Sequence, residues 1–145
     1  MFGFFHELTD GLRQHARRRS WPADQALGRR GEDIAHRYLQ RSGVVVVARN
    51  YRTPGGSGEI DLVGWDHGTL VFVEVKSRAS DEYGSPDRAV GEDKRRHMIR
   101  AARHYARHAE APWERVRFDV VNVIFNTPPL VTHLKDVIRL EKAVS

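Results

Sequence analysis

The chain has 145 residues, of which 24 are Lys or Arg, 19 are Asp or Glu, 8 are His and none is Cys. The length favours one domain, no apolar run reaches the roughly 20 residues that a membrane-spanning helix needs, and the lack of cysteine excludes disulfides, thiolate zinc sites and a cysteine nucleophile. The net charge of +5 predicts an anionic partner, nucleic acid first and no membrane, and the cysteine-free composition fits the cytoplasm.

The first 22 residues mix three phenylalanines with a basic run and show no periodicity, which predicts a basic, mobile tail before a domain over residues 23–145. From Ala23 to Ser42, apolar residues recur at helical spacing, and Gly43 is a typical residue just beyond a helix end. The β-branched run from Val44 predicts a strand that reaches Tyr51.

A hairpin follows the glycine-rich loop over residues 53–58. The predicted strands are Glu59–Trp65 and Thr69–Ser77, and His67-Gly68 is typical of a two-residue turn between them. We expect the loop glycines to let the backbone pass close to DNA or to a metal ion.

The second half of the chain predicts a long helix and further extended structure. Pro86 is a good first-turn residue for a basic helix that continues to about residue 109. Val116–Phe125 is typical of a buried strand, and Val131–Leu140 fits either a strand or a short helix. The order α-β-β-β-α-β predicts a single α/β domain with a mixed sheet.

Positive charge is concentrated in residues 88–109, which hold seven basic and two acidic side chains, while the rest of the chain sums to zero. Four arginines of this segment follow helical spacing and form what we call the arginine stripe: Arg96, Arg100, Arg103 and Arg107. Such a stripe is either the solvated face of an amphipathic helix or a phosphate-binding surface. We favour nucleic-acid binding.

Two charged residues outside the stripe have open roles. Lys94 falls on the same helix face as Met98 and Ala101, so it either reaches a phosphate near the active site or extends outward to solvent. We count it among the nucleic-acid-binding residues. Asp119, between Phe118 and Val120, is expected to form a structural salt bridge or hydrogen bond.

The hairpin contains the candidate catalytic residues. A His67-Gly68 turn pairs Asp66 with Thr69, and continuing that register places Asp61 opposite Glu74, with Cβ atoms roughly 5 Å apart. Two carboxylates at that distance repel unless they share a proton or a cation, and their oxygens suit Mg²⁺ or Mn²⁺.

Lys76 follows Glu74 on the same face of its strand and adds an ammonium group to this site. Phosphodiester cleavage needs a metal to activate water and a cation to offset transition-state charge. Strict alternation points Ile60, Leu62 and Val75 the other way, into the core. The alternative is an exposed strand pair that carries Glu opposite Lys.

The pattern of Asp61 followed by Glu74-Val75-Lys76 resembles the D…(D/E)-x-K signature of the restriction-endonuclease-like superfamily. The wider pattern is similar to that of the YraN-like family of uncharacterised bacterial proteins, from about Leu27 to Phe125. Its segments here are Gly31-Glu32-Asp33-Ile34-Ala35, Arg49-Asn50-Tyr51-Arg52, Gly58-Glu59-Ile60-Asp61-Leu62, Phe72-Val73-Glu74-Val75-Lys76 and Arg117-Phe118-Asp119-Val120-Val121.

The resemblance implies an α/β/α restriction-endonuclease-like core, similar to that of archaeal Holliday-junction resolvases, which are homodimers. In resolvase-like proteins a glutamate of the first helix completes the metal site, and Glu32 is the matching position. Its spacing from Ala35 and Leu39 places it at the margin of the core face. The alternative for Glu32 is a solvent-exposed helix acid.

We therefore expect a Mg²⁺-dependent (or Mn²⁺-dependent) endonuclease that hydrolyses phosphodiesters of DNA rather than RNA, with branched or structured DNA as substrate. Asp61 and Glu74 hold the metal, the Val75 carbonyl assists, and Glu32 contributes directly or through water. Lys76 orients the attacking hydroxide and stabilises the phosphorane. The alternative is a non-catalytic nucleic-acid-binding module that retains the nuclease fold.

Overall fold

A computed structural model of the chain describes residues 21–56, 58–80 and 90–138. The predicted tail over residues 1–22 lies outside this part, except for Trp21 and Pro22, which belong to the first helix. Pro86, the predicted start of the basic helix, also lies outside the described residues.

Two α-helices and five strands make up the described fold. They are α1 (Trp21–Arg41), β1 (Val45–Arg52), β2 (Glu59–Asp66), β3 (Thr69–Arg78), α2 (Glu92–His108), a short 3-10 turn (Trp113–Arg115), β4 (Val116–Ile124) and β5 (Leu130–Leu134). Neither α-helix is long and apolar enough to cross a membrane. The segment at Val131–Leu140, which fitted either a strand or a short helix, contributes β5.

The five strands form one mixed sheet in the order β1-β2-β3-β4-β5. All neighbouring strands are antiparallel except β3 and β4, which are parallel and are connected through α2. Parallel neighbours need such a crossover, whereas the hairpin strands need only the His67-Gly68 turn. Both turn residues have positive φ, 51° and 89°, as a two-residue hairpin turn requires.

Each helix covers one face of the sheet. Ala35 and Leu39 of α1 pack against apolar residues of β2, β3 and β4, and Met98 and Ala101 of α2 pack on the opposite face. Helices on both faces of a sheet that is apolar on both sides give a three-layer α/β/α domain. The predicted α/β fold with a mixed sheet is confirmed.

Strict alternation breaks down in β2 at Asp61. Leu62 packs with Val73 and Val75 on the α1 face, whereas Ile60 packs with the cluster on the α2 face. The prediction that Ile60 shares a face with Leu62 and Val75 is therefore wrong. Two residues that are two positions apart lie on opposite faces only if the strand kinks between them.

The neighbouring strand is irregular at the same point. Arg49 pairs with Leu62 and Tyr51 pairs with Ile60, which places Asn50 opposite the aspartate between those two β2 residues. Asn50 has a φ of 51°, a left-handed conformation that asparagine tolerates better than most side chains. The kink is therefore shared by both strands of the β1–β2 pair.

Two glycines allow the helices to approach the strands around this kink. A Cβ atom on Gly31 of α1 would lie 1.9 Å from Ser77 Oγ of β3. A Cβ atom on Gly58, just before β2, would lie 2.7 Å from the His97 carbonyl oxygen of α2. The close approach at Gly58 is thus to the backbone of α2, while the close passage of the loop backbone to DNA or a metal ion stays a prediction.

We predict that G58A lowers the free energy of unfolding by roughly 1–3 kcal/mol, because the added methyl group meets a helix carbonyl that cannot rotate away. G28A is the matched control. A Cβ at Gly28 meets no described atom within 4 Å, so the change from Gly to Ala within α1 is expected to stabilise the protein by about 1 kcal/mol. Urea unfolding of both variants measures the difference, and equal stabilities would contradict the packing at Gly58.

Candidate active site

The two hairpin strands separate at the position of the predicted carboxylate pair, and we call this opening the fork. The predicted pair of Asp66 with Thr69 is confirmed, and the paired register runs from there to Leu62 and Val73. The next pair would join Asp61 and Glu74, but the ladder ends before it. The fork begins where the direct pairing of the two acids was expected.

A side-chain hydrogen bond takes the place of the absent ladder bond. The Val75 amide donates to Asp61 Oδ2 at 2.8 Å, so the carboxylate of β2 binds the backbone of β3. This bond fixes the direction of the Asp61 side chain and uses one of its two oxygens. Asp61 is 2% exposed and Glu74 is 3% exposed, so both acids lie in the interior of the domain.

One carboxylate oxygen of Asp61 and one of Glu74 lack a hydrogen-bond partner among the described residues. Within the described part of the chain, Asp61 Oδ1 and Glu74 Oε1 are buried and have no hydrogen-bond partner. A buried carboxylate oxygen without a partner is costly unless a proton, a cation or a metal ion compensates it. These two oxygens are therefore the atoms in the site best suited to bind an ion.

The third predicted acid reaches the fork from α1. Glu32 is 7% exposed, which rules out the alternative of a solvent-exposed helix acid. Its Oε1 accepts hydrogen bonds from Asn50 Nδ2 at 3.4 Å and from Arg49 Nη2 at 3.5 Å. Burial raises the pKa of Glu32 above its ordinary value of 4.5, although the Arg49 charge and the bonds from β1 act in the opposite direction.

Burial and several neighbouring charged groups shift the pKa of Asp61. Burial raises it well above the ordinary value of 3.8, and the negative charges of Glu32 and Glu74 raise it further. The Lys94 charge and the bond from the Val75 amide oppose this shift. The structure thus brings the three acids and Lys94 into one electrostatic cluster.

Two lysines flank the acids. Lys76 is half-buried on β3 and, by alternation, lies with Glu74 on the face of the sheet that packs against α2. Lys94 is 7% exposed in the first turn of α2, on the same face of the helix as Met98. The sheet-facing placement of Lys94 is confirmed, and its extension outward to solvent is excluded.

The donor set of the fork suits a hard divalent ion. In residues 21–56, 58–80 and 90–138, no three His, Cys, Asp or Glu side chains lie close enough to hold one ion together. Mg²⁺ commonly binds through only one or two carboxylates and keeps water or substrate phosphate as its other ligands. The free oxygens of Asp61 and Glu74 fit that mode, and Glu32, which already binds Asn50, fits a role through water.

The arginine stripe lies on the exposed side of α2, with all four of its residues open to solvent. Two arginines of the stripe already interact with neighbouring side chains. Arg96 forms ion pairs with Glu92, at 3.9 Å, and with Asp93, and the Arg103 guanidinium lies 4.4 Å from the centroid of the Trp113 ring. The two acids of the basic segment therefore neutralise one end of the stripe.

Asp119 has the structural role that the sequence favoured. It is fully buried and accepts hydrogen bonds from Arg117 at 2.9 Å, from His133 at 2.7 Å and from the Asp136 amide at 3.0 Å. Burial alone would raise the pKa of Asp119, but these bonds hold it below the ordinary value of 3.8. The network joins β4 to β5.

Sequence reasoning did not identify Arg49 and Asn50 as partners of Glu32. Arg49 also forms an ion pair with Asp33 at 2.9 Å, so it contacts two successive acids of α1. The available signal was the polar pair Arg49-Asn50 directly after the apolar run 45–48 of β1, in which asparagine is a residue type that tolerates positive φ. These contacts hold α1 and the kink of β1 together.

The comparisons with known proteins identify one family. A sequence model of the uncharacterised protein family UPF0102 matches residues 31–123, a span that includes Glu32, Asp61, Glu74, Lys76 and Lys94. A UPF0102 protein of Solibacter usitatus is 50% identical over 135 residues, which cover 93% of this chain and 98% of the relative. UPF0102 proteins of Koribacter versatilis and Paracidovorax citrulli are 41% identical over 120 residues and 52% identical over 101 residues, covering 82% and 68% of this chain and 83% and 74% of the relatives.

We predict that D61N is more stable than the unchanged protein in metal-free buffer, and that the difference widens as pH rises. The folded pKa of Asp61 lies above its unfolded value, so its contribution to stability is complete below pH 3.8 and is lost as pH rises through the raised pKa. An amide at this position still accepts the bond from the Val75 amide. Thermal unfolding in EDTA between pH 4 and pH 8 measures the difference.

The exposed Asp33 provides the matched control. D33N removes an exposed acid and its ion pair with Arg49 from the same neighbourhood, so it is not expected to raise the thermal stability. If D61N is no more stable than D33N at pH 8, the ionised Asp61 carboxylate is not a destabilising group in the fork.

Proposed function

The chain belongs to the uncharacterised protein family UPF0102, and we propose that it is a Mg²⁺- or Mn²⁺-dependent nuclease that hydrolyses DNA phosphodiesters. Branched or otherwise structured DNA is the substrate class that we propose, from the similarity of the sequence pattern to that of resolvases. One observation carries the proposal: Asp61 Oδ1 and Glu74 Oε1 are buried in the fork without a hydrogen-bond partner among the described residues.

The acids and the lysine of the fork have distinct roles in this proposal. Asp61 and Glu74 hold the ion, assisted by the Val75 carbonyl, and Glu32 positions a water molecule at its edge. A divalent ion supplies Lewis-acid chemistry at the phosphate and lowers the pKa of bound water. The chain itself contributes a site with little solvent access, in which fixed charges act more strongly than they do in water.

Lys76 acts where charge develops. Its ammonium lies on the same face of β3 as Glu74, two residues further along the strand, so it is placed to orient the attacking water. As the phosphorane forms, negative charge grows on the phosphoryl oxygens, and Lys76 offsets that charge. An interaction that strengthens in the transition state raises the rate without a matching gain in substrate affinity.

The exposed face of α2 supplies the binding surface in this proposal. Phosphate contacts from Lys and Arg give most of the sequence-independent affinity for DNA. Arg100, Arg103 and Arg107 are exposed along the helix whose first turn carries Lys94, so a phosphate backbone bound to the stripe leads toward the fork. Arg96 contributes less, because Glu92 and Asp93 offset its charge.

We predict that K76A reduces the rate of DNA cleavage by about two to four orders of magnitude, the range expected on removal of one transition-state donor. DNA affinity in Ca²⁺ is expected to change little, because one phosphate contact among many contributes modestly to binding. Cleavage of linear, single-stranded, flapped and four-way DNA with Mg²⁺ or Mn²⁺ provides the rates. The exposed Lys135 is the matched control, since K135A removes a lysine that lies outside the fork.

Three outcomes of this screen distinguish enzyme from binding module. Cleavage that is lost in K76A and kept in K135A supports the nuclease. An unchanged protein that binds DNA but cleaves no substrate with either ion favours the non-catalytic module. Full activity of K76A would show that the active site lies elsewhere or that a contaminating nuclease is present.

We predict that R100A/R107A weakens DNA binding regardless of sequence. The slope of log K against log salt is expected to become shallower by roughly 0.9 for each DNA phosphate that the variant no longer neutralises. R96A is expected to change the slope less, because the ion pairs of Arg96 already offset its charge. Fluorescence anisotropy with labelled DNA over a salt series measures both slopes. An unchanged slope in R100A/R107A would identify the stripe as ordinary solvated surface.

A further inference from the structure

Lys94 has an unusual position for a lysine on a strongly basic helix. Its neighbours in sequence are at least partly open to solvent, yet Lys94 itself is 7% exposed and faces the sheet with Met98 and Ala101. Lysine is rarely buried to this degree unless it is paired with negative charge. The burial of Lys94 therefore needs a compensating group in the interior.

The fork contains that negative charge. Glu32, Asp61 and Glu74 are each less than a tenth exposed, and Glu74 lies on the face of the sheet that packs against α2, the helix from which Lys94 faces the sheet. Three carboxylates withdrawn from water are costly without cations nearby. In the protein without metal, the ammonium of Lys94 meets this need from the α2 side.

We propose that Lys94 is the resident counter-ion of the fork and that a divalent ion competes with its ammonium for the same carboxylates. This inference rests on the metal site proposed above. Because like charges repel, an ion bound at Asp61 and Glu74 is held less tightly while the Lys94 charge is present. Lys94 therefore supports the fold of the metal-free protein and weakens metal binding.

The charge balance gives this competition a consequence for function. Arg49 already offsets Glu32, so Asp61, Glu74, Lys76, Lys94 and one divalent ion leave the fork with two positive charges, which one phosphodiester reduces to one. Metal binding is then weak in the free protein and strengthens when DNA brings a phosphate into the fork. Lys94 makes metal loading dependent on substrate.

Calorimetric titration of Mn²⁺, without DNA, into the unchanged protein, K94M and the exposed control K135M tests the competition. Methionine keeps the length and apolar stem of the lysine and removes its charge. We expect K94M to bind Mn²⁺ roughly tenfold more tightly than the other two proteins, because a like charge near the ion is gone. Addition of a short DNA duplex is expected to tighten Mn²⁺ binding to the unchanged protein more than to K94M, with Ca²⁺ replacing Mn²⁺ if the DNA is cut.

The outcomes separate this inference from the proposed function. Mn²⁺ binding of equal strength to K94M and the unchanged protein, or weaker binding to K94M, overturns the counter-ion role and leaves the metal site standing. If no protein binds Mn²⁺ in the absence or presence of DNA, the metal site is overturned and the competition with it.

A stability cycle tests the counter-ion role independently of metal. In EDTA, K94M is expected to lower Tm by roughly 10 °C, since it leaves buried carboxylates uncompensated. In D61N/K94M, with one acid fewer, the same lysine change is expected to cost much less than it does alone. If K94M does not fold without metal, folding of the double variant supports the role. An equal cost of the lysine change in both backgrounds, or failure of both variants to fold, overturns it.

Discussion

Burial of the Asp61 carboxylate between β2 and β3 is the constraint on which the rest of the site depends. The bond from the Val75 amide satisfies Asp61 Oδ2 and replaces the ladder bond that the two strands would otherwise make. The strands separate beyond that point, and Asp61 Oδ1 is buried without a hydrogen-bond partner among the described residues. Asn50, with its positive φ, lies opposite Asp61 in the β1–β2 pair, and Gly31 and Gly58 allow α1 and α2 to approach their neighbours closely. These features accompany the burial of Glu32, Asp61 and Glu74, each of which is less than a tenth exposed.

Much of the fold could be predicted because the sequence patterns that indicate it are local. The turn chemistry of His67-Gly68 and the alternation of apolar residues fix the hairpin register, and helical spacing identifies the faces of α1 and α2. The kink between Ile60 and Leu62 could not be predicted, because it coincides with the positive φ of Asn50 in a different strand, which no local pattern of β2 indicates. The segment of β5 is short, and only pairing with β4 decides between strand and helix. Glu92 and Asp93 precede Arg96 by four and three residues, which is about one helical turn. The ion pairs that offset the charge of Arg96 could therefore have been predicted from the sequence.

The residues of the candidate site could be proposed from the sequence, but not their internal geometry. The hairpin places Asp61, Glu74 and Lys76 just beyond the end of its paired register, and the resemblance to resolvase-like proteins adds Glu32, which the structure shows to be buried. No sequence pattern indicates that the Val75 amide occupies one oxygen of Asp61, because that hydrogen bond replaces a regular ladder bond. The compensation of buried carboxylates by Lys94 is also invisible in sequence, since a lysine on a helix face is usually a solvated group. The acids of the candidate site can thus be predicted from the sequence motif, whereas the balance of their charges depends on how the domain packs.

We propose that Asp61 Oδ1 and Glu74 Oε1, which have no hydrogen-bond partner in the part of the chain that the structure describes, bind a divalent ion. Anomalous diffraction from crystals of the protein grown with Mn²⁺ and a short DNA duplex tests it most directly, with Ca²⁺ retained as a second condition if the duplex is cut. We expect a single strong peak within about 2.0–2.6 Å of Asp61 Oδ1 and Glu74 Oε1. We also expect the Lys94 ammonium to lie further from these oxygens than it does in crystals grown without metal. Crystals that contain bound DNA but show no peak between the two acids would contradict it.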